Sequence, residues 1–196
     1  MHLTSDEVNV IEILPGGVVT KKATTHIRLD ENGEFVRNPE EDLVKVAVVE
    51  RHQGTGNVAC GFLKGYGIKE GAVALSVAHD SHNIIVVGVN DEEMEFAVNS
   101  LIAQEGGIVL VKEGKVIEQM PMPIAGLMSD QSGEWVDEKL TSIHEKAYTE
   151  LGICGDVEPV MTLCFMSLAV IPEIKLTDMG LFDVTTFSFI PVEISR

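Results

Sequence analysis

The chain has 196 residues, of which 45% are hydrophobic, and its 14 Lys and Arg against 31 Asp and Glu give a formal net charge of −17. This length and apolar fraction allow one sizeable globular domain, whereas the acidic balance argues against nucleic acids and anionic membrane surfaces as partners. The mean hydropathy is nevertheless positive, +0.18, which predicts apolar surface that packs against another domain or subunit.

No segment predicts export or membrane insertion, so we expect a cytoplasmic protein. The opening MHLTSDEV has neither the basic region nor the apolar core of a signal peptide. The longest uncharged run, residues 159–172, is shorter than the roughly 20 residues of a membrane-spanning helix. Cys60, Cys154 and Cys164 form no CxxC pair, which is typical of free or buried thiols in a reducing compartment.

The first third of the chain predicts a β meander. Residues 8–15 read as a strand that ends at Pro15-Gly16-Gly17, and residues 17–30 read as its return. Asn32-Gly33 is a strong turn signal because both residues tolerate positive φ. The apolar run 44–50 predicts a buried strand.

The middle of the chain alternates β and α signals. Glycines are too frequent in residues 50–83 for a helix, and residues 84–89 predict a strand. Residues 90–107 predict a helix that starts with acidic residues and stops at Gly106-Gly107. Residues 108–123 predict a β-hairpin.

The last third predicts one long helix and a final strand. Residues 129–152 are amphipathic, with apolar side chains available to the core at Trp135, Leu140, Ile143, Ala147 and Leu151. Residues 176–180 read as a turn, and residues 187–194 read as the last strand.

These elements predict an α+β fold with a mixed, largely antiparallel sheet packed with a few helices, because strands outnumber helices and hairpins outnumber crossovers. We expect a single domain, in which residues 1–43 form an N-terminal β meander and residues 44–196 form the main α+β unit. The two parts together are expected to make one compact body.

Polar side chains interrupt an apolar region at His79-Asp80-Ser81-His82-Asn83, directly before the strand predicted at 84–89. A turn at this place would let both imidazoles converge. Two His and one Asp are a partial ligand shell for Zn or Mn, which His52 could complete. The residues could instead line a binding site without metal, or form a polar turn in which Asp80 and Asn83 satisfy backbone donors.

A second polar cluster, residues 50–57, reads ERHQGTGN. Gly54 and Gly56 would let backbone N–H groups approach an anion or a purine edge closely. The spacing matches neither the dinucleotide fingerprint nor the phosphate loop. A glycine-rich connection with irregular backbone, in which Glu50 and Arg51 pair with each other or with neighbours, is the alternative.

The chain resembles the C-terminal domain of adenine deaminase, a member of the amidohydrolase superfamily. The resemblance covers nearly the whole chain, and the segments that carry it are KVAVVERHQGTGN, GFLKGYGIKEGAVA, SVAHDSHNIIVVGVND, GGIVLVKEGKV, PMPIAGLMSD and LTDMGLFDV. The family carries His-His where this chain has His52-Gln53, so no role is transferred to Gln53.

The resemblance implies a full-length enzyme of purine salvage that hydrolyses adenine to hypoxanthine and ammonia. A TIM barrel that precedes this region would bear the metal, Mn or Fe or else Zn, together with the HxH motif that this sequence lacks. This chain alone would hold no metal and no catalytic residue. It would pack on the barrel, in a homo-oligomer, with an active-site edge made by Arg51, His52, Gly54, Gly56, His79, Asp80, His82 and Asn83.

Two other functions fit the same sequence. The chain could be a stand-alone purine-binding or regulatory module that kept the pocket edge without the metal centre. It could also be an oligomerisation domain, in which case we expect a stable dimer with no ligand affinity.

Overall fold

The computed structural model of this protein describes residues 1–15 and 18–194. In chain order the strands are β1 (Glu7–Ile13), β2 (Thr20–His26), β3 (Arg28–Leu29), β4 (Phe35–Val36), β5 (Leu43–Val49), β6 (Val58–Lys64), β7 (Ala72–Leu75), β8 (Ile84–Gly88), β9 (Gly107–Lys112), β10 (Lys115–Pro121), β11 (Ile174–Thr177), β12 (Gly180–Asp183) and β13 (Ser188–Ile190). The helices are α1 (Asp91–Ala103), α2 (Gly133–Thr149) and α3 (Pro159–Cys164).

One large sheet organises the molecule, with strand order β10-β9-β7-β8-β5-β6-β1-β2. Its strands pair antiparallel except for β1 and β6, which run parallel. A three-stranded sheet, β11-β12-β13, and the short pair β3-β4 complete the β structure of the described residues. The predicted α+β class with a mixed, largely antiparallel sheet and a few helices is confirmed.

Both faces of the large sheet are apolar, which explains why its central strands read as continuous hydrophobic runs. On one face, Val46, Leu75 and Leu110 are fully buried against α2, α3 and the three-stranded sheet. On the other face, small side chains such as Ala72 and Ala74 let α1 approach closely. A third cluster, around Leu3, Val8, Val10 and Phe62, closes the side near β3-β4.

Both predicted long helices are present; α1 begins at the predicted acidic residues, whereas α2 begins at Gly133, four residues after the predicted start. The Asn90 side chain accepts a hydrogen bond from the Glu93 N–H at the start of α1, and the Ser132 side chain accepts one from the Trp135 N–H at the start of α2. Both are ordinary N-caps, because the first turn of a helix has unpaired N–H groups. In α2, Ile143 and Ala147 face the core as predicted.

Most predicted strands and turns are confirmed. The first hairpin pairs β1 with β2, although Gly16-Gly17 of its turn lie outside the described residues. Asn32-Gly33 form the turn between β3 and β4, with Gly33 at φ +74°, and the 108–123 hairpin pairs β9 with β10.

Three segments differ from the expectation or extend it. The glycine-dense segment contains two strands, β6 and β7, which its glycines did not suggest. The last strand is confined to Ser188–Ile190. The apolar run 159–172 begins with the short helix α3, and within the described residues no helix is both long and apolar enough to cross a membrane. All three cysteines are free thiols.

The antiparallel pairing gathers three polar loops at one end of the large sheet. Strand β5 ends at Val49, opposite the first residues of β6 and β8, Val58 and Ile84. Strand β7 ends opposite the start of β9, which in turn lies beside the end of β10. Loops 50–57, 76–83 and 122–132 therefore emerge together, and we call them the loop edge.

Glu118 of β10 links the large sheet to α2 through polar contacts. Its carboxylate accepts hydrogen bonds from the Ser142 hydroxyl and from Lys139 Nζ, 2.9 Å away, and Lys146 Nζ lies 3.3 Å from its second oxygen. Partial burial alone would raise the Glu118 pKa, but these hydrogen bonds outweigh it and hold the pKa at about 2.

We expect Glu118→Gln to make stability less sensitive to acid. A carboxyl group with a depressed folded-state pKa contributes stability above its ordinary pKa of 4.5 and loses that contribution as the pH falls toward 2. Urea midpoints at pH 7, 5 and 3 should therefore fall more steeply for the native chain than for the variant. Glu138→Gln, at an exposed position of α2, is the control and should leave the native slope unchanged; equal slopes in all three proteins would contradict the prediction.

Candidate functional site

The turn between β7 and β8 brings the two histidines of the HDSH segment together. The rings of His79 and His82 meet edge to face, with centroids 5.2 Å apart, and the His79 ring also lies 4.8 Å from the ring of Phe165. The His79 N–H donates to the Cys164 carbonyl at 2.8 Å, and the His82 N–H donates to the Ala78 carbonyl at 2.6 Å. The expected turn with converging imidazoles is confirmed.

Arg51 ties the three loops of the loop edge together. Its Nε donates to the His82 carbonyl at 2.6 Å, and its Nη2 donates to the Ala125 carbonyl at 2.9 Å. Its backbone N–H donates to Oδ1 of Asn83, which is buried, at 3.2 Å. A guanidinium presents its N–H groups in a fixed fork, so Arg51 sets the positions of the two neighbouring loops relative to its own.

His52 joins the same cluster from the first loop. Its Nε2 lies 2.7 Å from the carbonyl oxygen of Ser81. A carbonyl oxygen only accepts hydrogen bonds, so Nε2 carries a proton in this contact. The structure thus places His52, His79 and His82 on the same loop edge.

Glu50, which the sequence did not single out as a site residue, shapes the glycine loop. Its carboxylate accepts hydrogen bonds from the backbone N–H groups of His52, Gln53 and Thr55 and from the Thr55 hydroxyl. The Thr55 N–H and then the Gln53 N–H contribute most to lowering the Glu50 pKa to about 2. These three amides are therefore directed at Glu50, within the loop itself.

Gly54 and Gly56 lie at positions whose backbone conformation favours glycine. Their φ angles are +63° and +75°, values that glycine adopts without strain, and a Cβ at either position would meet nothing within 4 Å. Both residues are exposed. The loop leaves open space at these positions, where another molecule or domain can approach the backbone.

His82 has the most unusual electrostatic surroundings in the cluster. Partial burial, followed by the nearby His79 and Arg51, lowers its pKa below the ordinary value of 6.5. The ring is therefore neutral at pH 7. Its Nδ1 is buried without a hydrogen-bond partner in the described structure, whereas the neighbouring Asp80 is exposed to solvent.

The third loop, residues 122–132, contributes contacts that the sequence analysis missed. The hydroxyl of buried Ser76 donates to the Gly126 carbonyl at 2.5 Å and accepts the Gly107 N–H at 2.7 Å. Ala125 and Gly126 both have positive φ, and a Cβ on Gly126 would lie 2.8 Å from Nη1 of Arg51. Gly126 was the available sequence signal for a turn, but Ser76 and Phe165 offered none.

The loop edge thus combines three imidazoles and one guanidinium with the carboxylates of Glu50, Asp80 and Asp130. These groups offer both donors and acceptors of hydrogen bonds to a polar partner. Across residues 1–15 and 18–194, the structure contains no group of three or more His, Cys, Asp or Glu side chains placed to hold a metal ion.

Fold and site together define an α+β domain with a preformed polar edge at one end of its large sheet. Residues 17–188 match the family model described as the adenine deaminase C-terminal domain, and the chain belongs to this family.

Among the curated relatives, "Adenine deaminase 2" of Desulfotalea psychrophila is 69% identical over 98% of this chain, which corresponds to 34% of that protein. An adenine deaminase of Ligilactobacillus salivarius is 49% identical over 99% of the chain and 34% of its own length. An adenine deaminase of Listeria welshimeri is 46% identical over the whole chain and 34% of its own length. The chain spans about a third of the length of these relatives, and the matched third is their C-terminal domain.

Proposed function

We propose that this chain forms the C-terminal part of an enzyme that hydrolyses adenine to hypoxanthine and ammonia, and that its loop edge closes the active site of a preceding barrel domain. The family match and the names of the relatives support the reaction. The free state of all three cysteines fits work in a reducing cytoplasm.

In this proposal the metal belongs to the barrel. Mn or Fe, or else Zn, bound there would supply the hydroxide that attacks the ring carbon bearing the amino group. The residues of this chain help to bind the substrate and to orient it. His52, His79 and His82 offer hydrogen bonds at the active-site mouth, where Asp80 adds an exposed carboxylate. Asn83 is buried and supports this surface from below by accepting the Arg51 backbone N–H. Gly54 and Gly56 leave room for the barrel or the purine edge.

Arg51 acts through other residues and is a positioning residue. It holds the His82 carbonyl and the 122–132 loop at fixed distances from its own loop. The observation that carries the proposal is this assembly. Three histidines from two loops are held at one sheet end by hydrogen bonds to backbone carbonyls, made by the His52 ring and by the backbone N–H groups of His79 and His82, and one ring nitrogen of His82 is unpartnered in the described structure.

The proposal is tested in a hybrid enzyme, in which this chain replaces the matched C-terminal third of the Desulfotalea psychrophila relative. The 69% identity makes the exchange conservative. We expect the hybrid to release ammonia from adenine in a metal-dependent way and the isolated chain to release none. His79→Ala or His82→Ala should lower kcat/KM of the hybrid by about ten-fold or more, because small losses of positioning in an active site are costly.

His26→Ala is the matched control, because His26 is an exposed histidine on β2, at the opposite end of the strand order from the β7-β8 turn. It should leave kcat/KM unchanged. Full activity of the His79→Ala and His82→Ala hybrids would contradict the proposal. Calorimetric binding of adenine to the isolated chain would instead support the stand-alone purine-binding module.

A further inference from the structure

A second surface of the domain is a mainly apolar groove, which borders the loop edge but is not lined by its histidines. It has a volume of about 320 Å³ and runs between α1 and the neighbouring face of β5 and β6. The sheet contributes Ala47, Val49, Val58, Cys60 and Val86 to its lining, and α1 contributes Val98. We call it the α1 groove.

The groove exists because this face of the sheet is only partly covered. Helix α1 packs on β7, β8 and β9, and Leu3 together with the β3-β4 pair covers Val8, Val10 and Phe62. The part of the sheet face between α1 and the β3-β4 pair remains uncovered. Val58, a strand valine, is 56% exposed there. Exposed apolar surface of this kind marks an interaction site when it is contiguous.

The lining of the groove is mainly apolar. Its polar members are Lys45, whose Nζ pairs with Asp91 Oδ1 at 2.8 Å, and Glu95 and Asn99 of α1. The larger part of the wall consists of aliphatic and sulfur-containing side chains. The chemistry therefore favours an apolar polypeptide segment as the occupant.

We propose that the α1 groove binds an apolar segment of the polypeptide that precedes this domain in its relatives. In the Listeria welshimeri relative, all 196 residues are matched, yet they make up only 34% of that protein. Because the matched part is the C-terminal domain, the preceding polypeptide reaches the domain at the position of Met1. Met1 itself lines the groove.

The groove also adjoins the loop edge. Val49 and Val58 line it and directly flank loop 50–57, which carries Arg51 and His52. A segment seated in the groove would thus position the preceding domain beside the imidazole cluster. The inference rests on the proposed function in one respect, namely that the preceding domain packs on this one.

Cys60 provides a built-in probe of occupancy. Its thiol lines the groove and is partly buried, whereas Cys154 is exposed elsewhere. We expect iodoacetamide to label Cys60 about ten-fold more slowly in the hybrid enzyme than in the isolated chain, because thiol modification follows accessibility. Cys154 serves as the internal reference, and peptide mass spectrometry separates the sites. Equal Cys60 labelling in both proteins would overturn the inference.

Val58→Lys should restore fast Cys60 labelling in the hybrid, because a lysine in the groove disfavours an apolar occupant. Val36→Lys on β4, at a valine that is 45% exposed outside the groove, is the matched control and should not restore it. Both variants replace exposed side chains and should leave the unfolding midpoint of the isolated chain unchanged. Slow labelling that persists in the Val58→Lys hybrid would overturn the inference.

A second copy of this chain is the competing occupant. If the isolated chain sediments as a dimer that Val58→Lys dissociates, and Cys60 is protected only at high concentration, the inference is wrong. Activity measured on the same hybrids separates it from the proposed function. Fast Cys60 labelling with His82-dependent activity would overturn the groove assignment alone, whereas slow labelling with His82-independent activity would overturn only the proposed function.

Discussion

Gly71→Ala is expected to prevent stable folding of this chain. Gly71 precedes β7 with φ +69°, and a Cβ there would lie 1.9 Å from the carbonyl oxygen of Val111 in β9. The left-handed conformation alone costs an alanine about 1–2 kcal/mol. The steric clash adds a further free-energy cost, because the Val111 carbonyl belongs to the backbone of an interior strand and cannot move aside easily. The total should exceed about 4 kcal/mol, which approaches the whole stability of a typical domain.

Gly54→Ala is the matched control for this prediction. Gly54 has nearly the same φ, +63°, but a Cβ there would have nothing within 4 Å. Its expected cost is therefore the conformational part alone, about 1 kcal/mol. Urea unfolding followed by circular dichroism measures both variants. The structural explanation would be wrong if Gly71→Ala and Gly54→Ala lost similar amounts of stability.

Arg51→Lys is expected to loosen the loop edge even though it keeps the positive charge. One ammonium group cannot reproduce the fork that reaches both the His82 and the Ala125 carbonyls. Loss of two hydrogen bonds from a charged donor should cost about 2 kcal/mol of unfolding free energy. Hydrogen exchange should accelerate in residues 122–132 and in the turn that carries His82. In the hybrid enzyme, Arg51→Lys should also lower kcat/KM.

Arg37→Lys is the corresponding control, because Arg37 donates to a single carbonyl, that of Ile68, at 3.0 Å. We expect a loss of about 1 kcal/mol with unchanged exchange at the loop edge. If Arg51→Lys left both the exchange of residues 122–132 and the activity of the hybrid unchanged, Arg51 would not be a positioning residue.

Much of the fold was predictable because its signals are local. Asn32-Gly33 encodes a turn through its tolerance of positive φ, and the acidic residues from Asp91 onward indicate the start of α1. The β6 and β7 strands escaped prediction because their glycines serve non-local needs. Gly71, for example, is required by the approach of Val111 from a strand about 40 residues further along the chain.

The candidate site likewise has features that the sequence predicts and features that only the structure shows. The sequence by itself identified His79 and His82 as polar residues that interrupt an apolar region, and Arg51 and His52 as part of a polar, glycine-rich cluster, and its motifs indicated the family. Only the tertiary structure brought the loops that carry them to one sheet end, directed the Arg51 fork at two carbonyls, and left a strip beside α1 uncovered. The physical reason is that the chemistry of a side chain depends only on the residue type at that position. Proximity, burial and exposed apolar surface depend instead on which strands pair and which faces remain unpacked.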